Sequence, residues 1–338
     1  MSKTTERIQK ALDSAFEKGY RIPIGTEDAR WIIFSDHHRG RKDGADDFAI
    51  CEPTYLEALE YYDKEAFTLC LLGDVEELWE NHILQILGPY KKVMTKEKDF
   101  YEDRRLYRIW GNHDDDWRFA AQIEKHLGWL FKRIPVYESI ILELHEDLSC
   151  RDILLVHGHQ GTLNSDRFAG ISRVFVRLIW RNVQRLFKIP LSTPANNIKL
   201  KSEHDQAMYH WANSKDRVLI CGHTHQPVFM SYTHADELRM KIKAIRSQLE
   251  NAPSQALEEQ LNETHELLET VLSAGGEPMM VESPKPFYFN SGCCSFSDGD
   301  ITGIEIADKE IRLVKWCNGS FERKVLGRTE LRYLMDYC

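Results

Sequence analysis

The chain has 338 residues, of which 42% are hydrophobic and 29% charged, so it can bury a large core beneath an ordinary polar surface. Its formal net charge of −9 disfavours, without excluding, a protein that binds nucleic acid through a basic surface. The polar N-terminus lacks the apolar segment of a signal peptide, and no run of about 18 apolar residues predicts a membrane span. Eight cysteines without a C-x-x-C pair indicate free thiols and a cytoplasmic location.

A surface helix is predicted over residues 4–19, and after it the chain repeats one pattern, a short apolar run that ends abruptly in small and polar residues. These apolar runs cover residues 31–34, 67–72, 106–110, 153–156 and 218–221. Continuous apolar runs of this length indicate strands buried on both faces. Helices are predicted between them at residues 53–64 and 75–87. Such alternation predicts a largely parallel sheet, whose ligand site lies beyond the carboxyl ends of the strands.

The C-terminal third predicts antiparallel strands. A strand at residues 287–289 is followed by a hairpin of residues 301–306 and 311–316, and a second hairpin joins residues 140–144 to the strand at 153–156. The sequence therefore predicts an α/β fold of two sheets flanked by helices, as a single domain over residues 1–338. Two insertions interrupt it, a basic helical segment at 166–201 and an antiparallel helical hairpin at 236–274.

Each of the five predicted strands ends in a cluster of metal-binding side chains. The clusters are Asp36-His37-His38, Gly73-Asp74, Gly111-Asn112-His113-Asp114, His157-Gly158-His159 and Gly222-His223-Thr224-His225. Their donors are carboxylate, imidazole and amide groups without thiolate, a set that suits Mn²⁺ best here and also Fe, Zn²⁺ or Co²⁺. The donors outnumber the needs of one ion, which predicts two divalent metal ions that share a carboxylate.

In this order, the clusters resemble the motifs of the calcineurin-like metallophosphoesterase superfamily: D-x-H, G-D, G-N-H-D/E, a histidine after a strand, and G-H-x-H. The resemblance spans roughly residues 30–230, and Asn290-Ser291-Gly292 looks like the closing strand of that family. It implies a metallophosphoesterase sandwich of βαβ units and a two-metal-dependent hydrolase of a phosphomonoester, phosphodiester or pyrophosphate.

The resemblance also implies a role for each residue. One ion would be held by Asp36, His38 and His225, the other by Asn112, His157 and His223, with Asp74 bridging both. A hydroxide between the ions would attack phosphorus, His113 would be the general acid, and Asp114 would orient its ring. Two neighbouring histidines compete for these roles. His37 should point away from the ligands because side chains alternate along extended chain, and His159 stands where some relatives have an aspartate.

A narrower resemblance is to UDP-2,3-diacylglucosamine pyrophosphohydrolases, which cleave a lipid-linked pyrophosphate at a membrane surface. It rests on S-D-x-H, on H-G-x-x-x-T-L-x-x-D from His157 to Asp166, and on the basic insertion. The chain departs from those enzymes at His113, where they usually carry an arginine, and in its long hairpin after His225.

The two insertions leave alternatives open. The basic segment carries an arginine every four residues at Arg173, Arg177, Arg181 and Arg185. It is interpreted as a lid over an acidic substrate, as a helix at an anionic membrane, or as a core helix with a solvated edge. The hairpin is interpreted as a structural or homo-oligomer-forming arm. A nuclease of the same superfamily is the alternative function. A non-catalytic scaffold is disfavoured because every ligand position is retained.

Overall fold

The computed structural model describes residues 3–146, 149–161, 198–251, 254–273 and 285–336. The four arginines of the basic segment lie outside the described residues, so its alternative interpretations stay open. Within the described ranges, none of the helices is long and apolar enough to cross a bilayer. The described cysteines are free thiols, and five of them are buried: Cys51, Cys70, Cys221, Cys293 and Cys294.

The strands and helices alternate along most of the chain. The strands are β1 (Tyr20–Gly25), β2 (Arg30–Phe34), β3 (Thr68–Leu72), β4 (Leu106–Ile109), β5 (Val136–Tyr137), β6 (Ser139–Glu146), β7 (Ser149–Val156), β8 (Val218–Cys221), β9 (Val228–Phe229), β10 (Tyr232–Thr233), β11 (Tyr288–Asn290), β12 (Ile301–Ala307), β13 (Glu310–Trp316) and β14 (Arg323–Glu330). The α-helices are α1 (Lys3–Lys18), α2 (Glu52–Lys64), α3 (Ile83–Leu87), α4 (Lys91–Glu102), α5 (Ala120–Phe131), α6 (Ile198–Lys215), α7 (His234–Asn251), α8 (Gln255–Ser273) and α9 (Leu331–Asp336).

Two seven-stranded mixed sheets form the centre of the fold. One has the order β1-β6-β7-β8-β11-β9-β10 and the other β14-β13-β12-β2-β3-β4-β5. The strands that carry the polar clusters are parallel within each sheet, β2 with β3 and β4 in one and β7 with β8 in the other. Their carboxyl ends therefore lie at one edge of each sheet.

Alternating burial along the strands shows how the layers pack. In β2, Trp31 and Ile33 belong to the core between the two sheets, while Ile32 and Phe34 belong to a second core formed with α2, α3, α4 and α5. Because successive side chains of a strand point to opposite faces, an apolar run such as β2 is buried on both. The α/β sandwich of two sheets with flanking helices predicted from sequence is confirmed.

The long insertion after β10 is a helical hairpin. Its helices α7 and α8 pack through a small core that includes Leu238, Ile242 and Leu268. The spacing of these residues in the sequence indicated that the two helices pack together. Helix α7 begins directly after β10, where Asp236 accepts hydrogen bonds from the backbone N–H and the hydroxyl of Thr233.

Several elements differ from the sequence-based expectations. Strand β1 was not predicted, and the helix predicted at residues 75–87 is limited to α3. Residues 75–82 are instead a loop, because the N–H of Glu77 bonds to the carbonyl of Arg39 and the N–H of Leu78 bonds to those of Glu76 and His113. Long-range backbone bonds thus replace part of the helical pattern, and the loop passes beside the polar clusters.

A buried ion pair ties α4 to the loop after β2. Arg39 donates to Glu97, which also accepts from the hydroxyl of Tyr55 at 3.1 Å, and both charged side chains are almost fully buried. We expect Glu97→Gln to lower the free energy of unfolding by about 3 kcal/mol, because it removes the carboxylate closest to the buried Arg39 guanidinium and leaves the more distant Glu76, at 4.0 Å, to balance its charge. Urea unfolding would measure this. Glu102→Gln on the same helix, which breaks only the exposed pair with Lys98, should leave the midpoint unchanged.

Candidate metal centre

The polar clusters occupy loops that begin where the core strands end. These loops carry Asp36 and His38 after β2, Asp74 after β3, Asn112 and His113 after β4, His157 after β7, and His223 and His225 after β8. Five of the seven predicted ligands have positive φ angles, namely Asp36, His38, Asp74, His223 and His225. Non-glycine residues rarely adopt this conformation, so the surrounding structure must hold these loops in place.

The first group of ligand atoms comes from Asp36, His38 and His225, whose nearest atoms all lie within 4.8 Å of one another. The Oδ1 atom of Asp36 lies 3.2 Å from Nε2 of His225 and 3.8 Å from Nε2 of His38. The other carboxylate oxygen, Oδ2, accepts the backbone N–H of His223 at 2.9 Å. One oxygen of Asp36 therefore faces the cluster while the other orients the loop after β8.

The second group comes from Asp74, His157 and His223, also within 4.8 Å. Asp74 Oδ2 lies 3.1 Å from Nε2 of His157 and 3.8 Å from Nε2 of His38, so it lies between the two groups. Asp74 Oδ1 accepts the backbone N–H of His113 at 2.7 Å. The ring of His157 is fixed by a 2.8 Å hydrogen bond from Nδ1 to the carbonyl of Leu72, which leaves Nε2 directed at the cluster.

The hydrogen bonds of this cluster are incomplete in a way that fits metal ligands. Four of the predicted ligands each have a buried side-chain atom without a hydrogen-bond partner in the described part of the chain: Asp36 Oδ1, Asn112 Oδ1, His157 Nε2 and His223 Nε2. Buried polar atoms are normally paired, and these four are the atoms through which such residues bind a cation. Carboxylate, amide oxygen and imidazole together form a donor set suited to a divalent transition metal.

Negative charge dominates the electrostatics of the cluster. Burial by itself lowers the pKa of His38 and His157, but the neighbouring carboxylates outweigh it. Glu77, Asp74 and Asp36 raise the pKa of His38 to about 10, and Asp74 and Asp36 raise that of His157 to about 9. The site therefore favours added positive charge, which a metal cation also supplies.

His113 is held on three sides next to the first group. Its ring stacks on Trp79 with centroids 4.0 Å apart and meets the ring of His38 edge-on at 4.7 Å. Its Nδ1 lies 2.7 Å from Oε2 of Glu77, in an ion pair. The same carboxylate oxygen accepts from Nδ1 of His38 at 2.9 Å. Burial lowers the pKa of His113, but Glu77 and Asp74 raise it above its usual value.

The carboxylate of Asp114 contacts the backbone of two loops. It accepts the backbone N–H groups of Val75 at 2.8 Å and Gly111 at 2.6 Å. Both oxygens are thus engaged in holding the loops after β3 and β4 together, and the carboxylate at the ring of His113 is that of Glu77. Burial, with Asp74 and Glu76 nearby, raises the pKa of Asp114 to about 7.

The two competing histidines take different positions. His37 points away from the ligands, as expected, and its ring lies against Phe48 and Tyr55 in the second core. His159 is buried with its ring 5.0 Å from Trp110 and 5.4 Å from the ring of His157. Burial and the nearby His157 lower the pKa of His159 to about 3, so it stays neutral.

Glycines let these loops approach one another. A Cβ atom on Gly111 would lie 2.2 Å from Oδ1 of Asp74, and one on Gly222 would lie 2.4 Å from Oδ2 of Asp36. In each case the glycine of one motif leaves room for the carboxylate of another.

The sequence matches the family described as calcineurin-like phosphoesterase over residues 29–227, which include every predicted ligand. The chain belongs to the calcineurin-like phosphoesterase family. Among solved structures, it is similar to vacuolar protein sorting 29 from Cryptosporidium parvum, with 10% identity and a TM-score of 0.38 over 89% of this chain and 98% of that one. No curated protein matches the chain.

Sequence reasoning missed Glu77 and Trp79. Both lie in the loop that was predicted to be helical, three and five residues after Asp74. The signal available was their position just beyond a strand end, the place where every other polar cluster occurs.

Proposed function

We propose that the chain hydrolyses a phosphoester with two divalent metal ions bound at this centre. Asp36, His38 and His225 would hold one ion, and Asn112, His157 and His223 the other, with Asp74 serving both. The observation that carries the proposal is the position of Asp74 Oδ2, within 4 Å of an imidazole of each group. When bound, two such ions lower the pKa of water and offset the charge that develops on the phosphoryl oxygens.

The residues of the chain would supply the proton transfer. Glu77 faces Nδ1 of His113, which leaves Nε2 to hold the transferable proton. As the oxygen of water forms a bond to phosphorus and the bond to the leaving oxygen breaks, His113 gives this proton to the leaving oxygen. The water releases its own proton to solvent, and His113 regains one from solvent before the next turnover. Trp79 and Glu77 hold the ring in place for this step.

Metal content tests the two-ion arrangement. Protein stripped with EDTA and refilled with Mn²⁺ should bind close to two equivalents by elemental analysis, because two ligand groups share one carboxylate. Refilling with Fe²⁺, Zn²⁺ or Co²⁺ would compare the other metals that suit the donors. A stable content of one equivalent of metal would refute the proposal that Asp74 binds two ions.

A substrate panel tests the reaction class. Refilled protein would be assayed with an aryl phosphomonoester, an aryl phosphodiester, a UDP-linked pyrophosphate and single-stranded DNA. We expect metal-dependent turnover of at least one of the first three substrates. Turnover of DNA alone would assign the site to a nuclease, and metal-loaded protein that turns over none of the four would contradict the proposal.

A further inference from the structure

The helix α6 contacts both histidine loops of the centre through two adjacent buried residues, His204 and Asp205. Neither belongs to a motif singled out in the sequence. Each bonds to a different loop, one to the turn after β7 that carries His157 and the other to the turn after β8 that carries His223 and His225.

Asp205 lies at the centre of a buried hydrogen-bond network. Its carboxylate accepts from the hydroxyl of Thr224 at 3.0 Å and from the hydroxyl of Tyr288 at 2.6 Å. The amide nitrogen of Asn290 donates to the hydroxyl oxygen of Thr224 at 3.0 Å and to the carbonyl of Gly222 at 2.8 Å. The turn from Gly222 to Thr224 is thereby attached to α6 and β11.

His204 holds the second loop. Its Nε2 donates to the carbonyl of Gly158 at 2.6 Å, directly after His157, and its ring lies 5.2 Å from that of His223. Gly158 has φ of +114°, a conformation that glycine adopts readily, and the bond from His204 fixes the direction of its carbonyl.

We infer that His204 and Asp205 are positioning residues for the metal centre, which hold the loops of His157, His223 and His225 in their ligand-binding conformations. This rests on the two-metal site proposed above. His223 and His225 have φ angles of 71° and 58°, so the loop has no intrinsic preference for its conformation. Removal of such supporting hydrogen bonds typically weakens metal affinity about 10–100-fold.

The test is Mn²⁺ affinity, measured by titration calorimetry on EDTA-stripped protein. Asp205→Asn should raise the Kd of at least one binding step about 10–100-fold. Thr224→Val, which keeps Asp205 and replaces the hydroxyl with a methyl group, should also raise it. The double variant should show less than the sum of the two single effects, because both variants remove the bond between Thr224 and Asp205. For the other loop, His204→Leu should weaken binding and His204→Gln, which keeps a donor, should restore part of it.

The matched control is Asp13→Asn. Asp13 accepts from Trp211 at 2.9 Å and pairs with Lys215, so it anchors the distal part of the same helix to α1 without contact to the loops. It should lower the melting temperature of metal-free protein yet leave the Kd for Mn²⁺ unchanged.

Three results would overturn the inference: an unchanged Kd in Asp205→Asn, an unchanged Kd in Thr224→Val, or an equal rise in Asp13→Asn. If Asp205→Asn does not fold, Thr224→Val and the His204 pair decide the question. Wild-type protein that takes up no Mn²⁺ would refute the proposed function itself, which is a different result from wild-type protein that binds two ions and variants that bind them equally well.

Discussion

Asp74→Asn should deprive the protein of most of its bound metal and lower kcat/KM about 10³-fold or more. The carboxylate oxygen that lies between the two ligand groups becomes an amide nitrogen, which cannot bind a cation. A tenfold change in rate corresponds to about 1.4 kcal/mol. The expected loss therefore corresponds to several kcal/mol of lost charge stabilisation. The remaining amide oxygen can still accept the N–H of His113, so the loop after β4 should keep its anchor.

Elemental analysis and steady-state kinetics would measure both effects of Asp74→Asn, with the melting temperature in EDTA as the check on folding. Asp308→Asn, at an exposed turn, serves as the control and should match the wild type in metal content and rate. Two retained equivalents of Mn²⁺ in Asp74→Asn would contradict the shared role.

His113→Ala should retain its metals and lose about 10²–10⁴-fold in kcat with alkyl phosphoesters, the usual contribution of general acid catalysis. The loss should be much smaller with nitrophenyl esters, because nitrophenolate leaves without a proton. Metal binding should persist, since Nδ1 of the ring faces Glu77 and the residue belongs to neither of the two ligand groups of the proposed ions.

Rates across a series of esters with rising leaving-group pKa would measure this dependence for wild type and His113→Ala. The exposed His234 on α7 offers a histidine control, and His234→Ala should follow the wild-type series. Equal losses for activated and unactivated esters would refute the general acid role.

The strand ends and most of their side chains were predictable because apolar runs and the polar residues that follow them are local signals. Strands β2, β3, β4, β7 and β8 each end within one residue of the predicted position. The pairing of Glu77 with His113 was not predictable in this way, since it depends on a loop whose backbone bonds reach Arg39 and His113. Adjacency in sequence favoured Asp114, although neighbouring residues on a tight turn need not face each other.

The contribution of α6 was also beyond local reasoning. His204 and Asp205 precede the loop after β8 by about twenty residues, and nothing in their immediate sequence distinguishes them from solvated helix positions. Their role follows only from the packing of α6 against the ends of β8 and β11, which places two buried polar groups against two turns.

The close approach of Gly111 to Asp74 and of Gly222 to Asp36 makes the motifs mutually dependent in evolution. A methyl group on either glycine would displace a carboxylate contributed by a different loop, so its effect on the chain would be that of losing a distant ligand. Each loop therefore limits which substitutions its neighbour can accept without loss of the metal centre. Such loops accept substitutions only in concert, even though long stretches of chain separate them.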